Sequence, residues 1–193
     1  MKVYFTSSAR GKEKYGKHYS SIYSTIEKLG HKNIDDLIFR INEKSFYRGD
    51  HKERVKVHKH TIANLRKCDI LVLEATVHSL SMGYLLRHAL ELEKPVIVLY
   101  LPGNGSDPFF ATGIENDKLQ VLEYSESNLE KILKLAFEYA KGQIDSRFNF
   151  FISSKIGNYL NWIARKKKTP RAVYLRRLIE REMKENKEYS GRK

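Results

Sequence analysis

Residues 68–89 read CDILVLEATVHSLSMGYLLRHA, and this stretch decides the fold. The apolar residues 70–73 predict a buried strand, the polar segment 74–81 predicts a loop, and the spacing of the apolar residues that follow predicts a helix to Glu93. A second apolar run, at residues 95–100, comes directly afterwards. A strand, a helix and a strand within about 30 residues indicate a βαβ crossover, and therefore a parallel sheet.

The surrounding sequence repeats this alternation of strands and helices over residues 1–141. In open parallel sheets, ligands bind beyond the carboxyl ends of the strands, so the segment 74–81 is expected to line any site. We predict an α/β fold, a flavodoxin-like or Rossmann-like three-layer domain with a parallel sheet. The remaining predicted elements are strands at 2–6 and 119–124, helices at 18–29, 60–67 and 127–140, and a charged surface excursion at 47–58.

Positive charge is concentrated at the end of the chain. The formal net charge of the 193 residues is +13, and residues 147–193 carry 14 Lys and Arg against 4 Asp and Glu. This asymmetry predicts a segment that binds a polyanion, most often a nucleic acid. A basic tail that is simply solvated is the alternative.

Several classes of protein are not expected. The single Cys68 cannot form an internal disulfide, which fits a reducing compartment, and the chain starts on strand-like residues without a signal peptide. No apolar run approaches the length of a membrane helix. His58 and His60 lack a third ligand at a characteristic spacing, so they are interpreted as surface residues. We expect a cytoplasmic protein with no membrane partner, no metal and no cofactor.

A second unit follows a predicted linker at residues 142–146. Apolar and polar residues alternate over 147–152, which predicts a strand, and two amphipathic helices follow it with a Thr169–Pro170 start for the second. One strand and two helices in about 40 residues bury too little apolar surface alone, so we expect a homodimer or a higher even oligomer. Residues 188–193 are expected to be a frayed tail.

The β-α-α unit at 147–187 resembles the ribbon-helix-helix family of DNA-binding domains. The resemblance implies that strands from two subunits form a ribbon that enters the DNA major groove, while the second helix contacts phosphate through its backbone. Phe151 departs from the family's usual polar residue. A dimerisation unit with a solvated basic face is the alternative. The residues that would contact DNA are Arg147, Asn149 and Phe151 on the strand, and Thr169 and Arg171 at the second helix.

Residues 1–141 resemble the 2′-deoxynucleoside 5′-phosphate N-glycosidase family, relatives of the nucleoside 2-deoxyribosyltransferases. Three segments carry the resemblance: YFTSSARG at 4–11, the gapless stretch at 63–84, and LQVLEY at 119–124. It implies a nucleotide or nucleoside monophosphate ligand. The 5′-phosphate would lie at Ser8, Arg10 and Ser79, and the sugar and base would lie near Tyr4. The implied nucleotide-binding set is Tyr4, Ser8, Arg10, Gly11, Glu74, Ser79 and Gly83.

Hydroxyl and guanidinium groups suit phosphate oxygens, and glycines permit a close backbone approach. The alternative is that Ser8, Arg10 and Ser79 only cap loops. Ser7 and Ser81 occupy positions where the family has glycine, which narrows the expected pocket.

The family's two carboxylates are missing. The resemblance places the nucleophilic Glu of the family at Leu85 and its second acid at Thr61, and neither side chain can act as a carboxylate. Arg87 also replaces a family glycine. Glu74, at the end of the central strand, is a possible substitute acid or a ligand of a sugar hydroxyl. Removing such a group usually lowers turnover by orders of magnitude.

Taken together, these features predict a DNA-binding transcriptional regulator with a catalytically degenerate, nucleotide-binding domain. The alternative is a deoxynucleoside monophosphate N-glycosidase or a nucleoside deoxyribosyltransferase that uses a non-standard acid such as Glu74. In that case, the C-terminal unit serves oligomerisation or targeting. A third reading is an antitoxin-like protein that binds another protein.

Overall fold

The computed structural model describes residues 1–41, 50–103, 107–143, 151–186 and 189. The chain divides into two compact units, at 1–147 and 148–193. Most of the predicted strand at 147–152, with Arg147 and Asn149, lies outside the described residues, as do most of the predicted linker and nearly all of the tail. In the described part of the chain, no helix has both the length and the apolar composition needed to cross a membrane.

The first unit contains a five-stranded parallel sheet in the order β2-β1-β3-β4-β5. Tyr4 pairs with Leu71 across β1 and β3, and Leu73 pairs with Val98 across β3 and β4. The predicted α/β fold with a parallel sheet is confirmed. The strands are β1 (Lys2–Ser7), β2 (Lys32–Asn33), β3 (Ile70–Glu74), β4 (Val96–Tyr100) and β5 (Leu119–Glu123).

Helices cover both faces of this sheet. Of the segment interpreted as a charged surface excursion, residues 51–58 form the first part of a 17-residue helix, α3, which Asp50 caps by accepting a hydrogen bond from the Lys52 backbone N–H. The helices are α1 (Lys12–Lys28), α2 (Leu37–Arg40), α3 (His51–Lys67), α4 (Leu80–Glu91), α5 (Phe109–Thr112) and α6 (Leu129–Gly142), with a 3-10 turn at Ala9–Gly11.

The strand residues alternate between two separate cores. Ile70 and Val72 pack with α1 and α6, whereas Leu71 and Leu73 pack with α3 and α4. Because successive side chains of a strand point to opposite faces, the parity of a residue in β3 decides which helix layer it meets. All five residues of β3 are buried, as expected for the central strand of a covered parallel sheet.

The second unit contains two helices, α7 (Ser154–Lys167) and α8 (Arg171–Glu185). Ser153 caps α7, and Lys168 ends it in the left-handed conformation, with φ at 48°. Leu160 and Ile163 are buried, but α8 has no buried residue. The ribbon strand lies mostly outside the described residues, so the ribbon-helix-helix resemblance and the expected pairing with a second copy stay predictions.

Candidate active site

A cavity of about 650 Å³ opens at the carboxyl edge of the sheet, between the end of β1 and the helices α2, α3 and α4. In this strand order the chain leaves β1 and β3 in opposite directions, and the carboxyl ends of two such strands form a crevice. The lining residues are Tyr4, Thr6, Ser7, Ser8, Ala9, Leu37, Ile38, Ile41, Arg54, Val57, His58, Thr61, Ser79, Leu80, Ser81, Met82, Tyr84 and Leu85.

The cavity lining contains several hydroxyl groups. Ser8 is 2% exposed, and its hydroxyl has no hydrogen-bond partner among the described residues. Ser79 caps α4, where its hydroxyl accepts a hydrogen bond of 3.3 Å from the Met82 backbone N–H. A helix N-terminus carries partial positive charge and free N–H groups, so it favours anions. A cavity lined by a buried, unpaired hydroxyl and by a helix N-terminus is suited to a phosphate group.

Tyr4 lies in the wall of the cavity and is almost completely buried. Burial raises the pKa of its hydroxyl to about 12, against the smaller lowering effect of a hydrogen bond with Thr61. The carboxylate of Asp35 raises this pKa further. Tyr4 therefore stays protonated at neutral pH and can donate a hydrogen bond to a bound sugar.

One face of α3 supplies Val57 and three polar lining residues, Arg54, His58 and Thr61. Their spacing of four and three residues places them on the same side of the helix. The ring of His58 lies 5.7 Å from the ring of Tyr84, on α4, at an angle of 42°. His58 is exposed, as the sequence interpretation predicted, and it also lines the cavity, which that interpretation did not foresee. The charged residues around it gave no sequence signal for the side of the helix that faces the cavity.

The rest of the lining is largely apolar. Leu37, Ile38 and Val57 contribute to it, together with Leu85, which is 6% exposed. The two positions that the resemblance assigns to acids, Thr61 and Leu85, therefore both line the cavity. None of the described residues that line it carries a carboxylate.

Glu74 lies elsewhere. It is completely buried. Because it follows Val72 by two residues in β3, its side chain lies on the same face of the sheet and points toward α1 and α6 rather than into the cavity. Its Oε1 accepts hydrogen bonds from the backbone and side chain of Thr76 and, at 3.3 Å, from the hydroxyl of Tyr124. Burial raises the pKa of this carboxyl group to about 7, although these hydrogen bonds lower it. The structure does not bring Glu74 to the lining residues.

The turn after β1 rests on the same buried group of residues. The Tyr19 hydroxyl donates a hydrogen bond of 3.3 Å to the carbonyl of Ser8. A Cβ atom at Gly11 would lie 2.1 Å from that hydroxyl and 3.0 Å from Val77, so this position has room only for glycine. The glycine supports the turn by packing and does not line the cavity.

The predicted nucleotide-binding residues thus divide into two groups. Three of them, Tyr4, Ser8 and Ser79, line the same cavity. The others lie outside its lining, and Arg10 is exposed on the 3-10 turn. The residues in this second group are Arg10, Gly11, Glu74 and Gly83.

The described residues expected to contact DNA lie in the second unit. Phe151 is fully exposed, and the Thr169 hydroxyl donates to the carbonyl of Lys167. Arg171 donates a hydrogen bond of 3.1 Å to the side chain of Asn161. Within the described part of the chain, no group of three or more His, Cys, Asp or Glu residues is placed to hold a metal ion.

Comparisons with known proteins identify relatives of the first unit. The chain is 30% identical over 141 residues to the 5-hydroxymethyl-dUMP N-hydrolase of Mus musculus, covering 70% of this chain and 79% of that protein. It is also 30% identical over 149 residues to the 5-hydroxymethyl-dUMP N-hydrolase of Esox lucius, covering 74% of this chain and 97% of that protein. No family model matches the chain.

A solved structure of Clostridium botulinum CMP N-glycosidase aligns with 71% of this chain and 99% of its own, with a TM-score of 0.43 and 16% identity. The names of the sequence relatives decide between the two main interpretations. The expectation of a DNA-binding regulator with a catalytically degenerate domain is wrong, because the relatives of this domain are named as hydrolases. The expected N-hydrolase-like domain is confirmed, and the chain belongs to the family of 2′-deoxynucleoside 5′-phosphate N-hydrolases that includes the 5-hydroxymethyl-dUMP N-hydrolases.

Proposed function

We propose that this protein binds a 2′-deoxynucleoside 5′-phosphate in the cavity beside β1 and hydrolyses its N-glycosidic bond. Relatives that cover most of the first unit are named as hydrolases of such a nucleotide. The observation that carries the proposal is a cavity large enough for a nucleotide that is lined both by the buried, unpaired hydroxyl of Ser8 and by the N-terminal residues of α4.

The proposed position of the phosphate is at Ser8 and Ser79. Ser8 and Ser79 each offer a hydroxyl donor, and the first turn of α4 adds backbone N–H groups. Hydrogen bonds to a charged group are worth about 1.5–3 kcal/mol each, which is enough to fix the orientation of the ligand. The Arg54 guanidinium, on α3, adds positive charge to the same cavity.

The sugar and the base occupy the remaining space. Tyr4 and Thr61 bring two hydroxyl groups near each other in the lining, where they suit a deoxyribose ring. The apolar part of the lining, with Leu85, and the exposed ring of Tyr84 offer the packing surface that a planar base requires.

Cleavage at this site is expected to be slow. Loss of the base leaves positive charge on the sugar, and carboxylates placed beside the reacting bond stabilise it. At the two family positions this chain has Thr61 and Leu85, so that stabilisation is missing there. We do not assign the role to Glu74, because its carboxyl group is buried among other residues on the opposite face of the sheet.

The test is release of free base from a panel of 2′-deoxynucleoside 5′-phosphates, with the matching unphosphorylated nucleosides as comparison. We expect one or more nucleotides, and none of the nucleosides, to yield base and deoxyribose 5-phosphate. An added second base reports transfer to that base instead of hydrolysis, as in a deoxyribosyltransferase. If no nucleotide releases base above the rate in buffer, the proposal fails.

A matched pair of variants locates the phosphate. Ser8→Ala is expected to raise KM for the nucleotide about 10-fold, since one hydrogen bond to a charged group is lost. Ser20→Ala removes an exposed hydroxyl of α1 that donates to the carbonyl of Gly16, and it is expected to leave KM unchanged. Equal KM values for the wild type and Ser8→Ala would place the phosphate elsewhere.

A further inference from the structure

The cavity has a titratable side chain that the proposed reaction has not yet used. Tyr4, Arg54, His58 and Tyr84 are the titratable groups among the described lining residues. An imidazole nitrogen can act as a proton donor or as a proton acceptor. Within the described lining, His58 is therefore the side chain suited to proton transfer.

His58 also lies close to where the reaction is expected. It is three residues before Thr61 on α3, and residues at this spacing are neighbours on a helix surface, about 5–6 Å apart at Cβ. The Thr61 hydroxyl lies near the Tyr4 hydroxyl, which marks the expected position of the sugar. Hydrolysis of an N-glycosidic bond requires a proton for the leaving base, and general acids typically accelerate such steps by about 10²- to 10⁴-fold.

We propose that His58 is the general acid and base of the reaction, an inference that rests on the proposed function. The protonated imidazole gives its proton to the leaving base as the C1′–N bond breaks, and the electron pair of that bond leaves with the base. Water then forms a bond to C1′ of the positively charged sugar and gives a proton back to the imidazole. The net reaction converts nucleotide and water to free base and deoxyribose 5-phosphate.

The surroundings of His58 fit this role. Its ring lies beside the Tyr84 ring, which is stacked at 5.9 Å on the ring of His88. Arg54, one turn earlier on α3, is the charged group that faces the same cavity. An imidazole between an aromatic ring and a cavity can rotate toward a base that packs on the same aromatic surface.

The experiment compares kcat, KM and the pH profile of base release for the full-length wild type and His58→Gln. We expect His58→Gln to lower kcat about 100-fold, to change KM less than about three-fold, and to remove the part of the pH profile that reports imidazole ionisation. His51→Gln is the matched control, because His51 is exposed on the same helix and lies outside the cavity lining.

Three results would overturn the inference. The first is an unchanged kcat and pH profile in His58→Gln, which leaves the proposed function standing. The second is an equal loss in His51→Gln, which would assign the effect to the helix. The third is a wild type that releases no base, which removes the proposed function as well. His58 is exposed, so both His58→Gln and a second variant, His58→Asn, are expected to fold, and melting temperatures verify this.

Discussion

At the carboxyl ends of the strands, the two faces of the sheet carry different side chains. On the face of α3 and α4, a cavity is lined by Tyr4, Ser8 and Thr61, and by no carboxylate among its described residues. On the face of α1 and α6, the carboxyl group of Glu74 is fully buried against Tyr124. The carboxyl group of Glu74 is therefore separated from the space that can admit a ligand.

This difference shows that moving by one residue along a strand changes the face of the sheet on which a side chain lies, and therefore whether it can reach the cavity. Leu73 and Glu74 are neighbours in β3, yet they belong to opposite helix layers. A carboxylate on the cavity side could act on a ligand, whereas Glu74 is enclosed by the hydroxyls of Tyr19 and Tyr124. Burial raises the pKa of both tyrosines, and the charge of Glu74 raises it further. Proximity in sequence to a site is thus a weak guide to membership in it.

The largest expected effect comes from giving the cavity side its carboxylates. The double variant Thr61→Asp, Leu85→Glu is expected to raise kcat for base release about 100-fold, because carboxylates then flank the reacting bond. The measurement is the initial rate of base release at saturating nucleotide. The uncharged pair Thr61→Asn, Leu85→Gln has nearly the same shape and is the control. A rate increase that is equal in the two double variants would contradict this account.

The second largest effect is expected from Glu74, on the face of α1 and α6, and it concerns how stability depends on pH. Burial raises the pKa of Glu74 from an ordinary 4.5 to about 7. Because the folded-state pKa is the higher one, the folded protein binds the extra proton, and stability falls as pH rises from 4.5 through 7. We expect a loss of about 3 kcal/mol from this group, measured as the free energy of unfolding in urea at pH 4.5 and pH 8.

Glu74→Gln is the matching variant for that measurement. It keeps the shape of the side chain but cannot ionise, so the decrease in stability between the two pH values is expected to shrink by about the same 3 kcal/mol. Base release is expected to change less than three-fold, since the residue lies outside the cavity lining. A complete loss of base release in this variant would instead support Glu74 as the substitute acid.

A smaller effect is expected where the turn after β1 touches the buried tyrosines. Gly11→Ala places a Cβ atom against the Tyr19 hydroxyl and is expected to destabilise the fold by about 1–3 kcal/mol. Adding Tyr19→Phe removes the hydroxyl and is expected to recover part of this loss. Thermal unfolding of the two single variants and the double variant measures the coupling. Strictly additive losses would show that the two groups do not meet.

Much of the fold could be predicted from the sequence. The apolar run of β3 and the crossover after it predicted the parallel sheet, because a fully apolar strand requires helices on both faces. Ser79 was expected near the phosphate, and it lies in the cavity as the cap of α4. Such features depend on a few neighbouring residues, so a local pattern is enough to predict them.

The rest required the three-dimensional arrangement. His58 lies in the highly charged segment HKERVKVHKH, where few apolar residues mark the buried side of the helix, so its face was not visible in the sequence. Alternation shows that Glu74 and Val72 share a face, but which face holds the cavity depends on the order of the strands. That order is a property of the whole domain.

The most direct test of the central claim is a crystal structure of the full-length protein with a bound 2′-deoxynucleoside 5′-phosphate. We predict that the phosphate lies within hydrogen-bond distance of the Ser8 hydroxyl and the N-terminus of α4, with the sugar beside Tyr4 and Thr61. Nucleotide bound only outside this cavity, with the Ser8 hydroxyl still unpaired, would contradict the account.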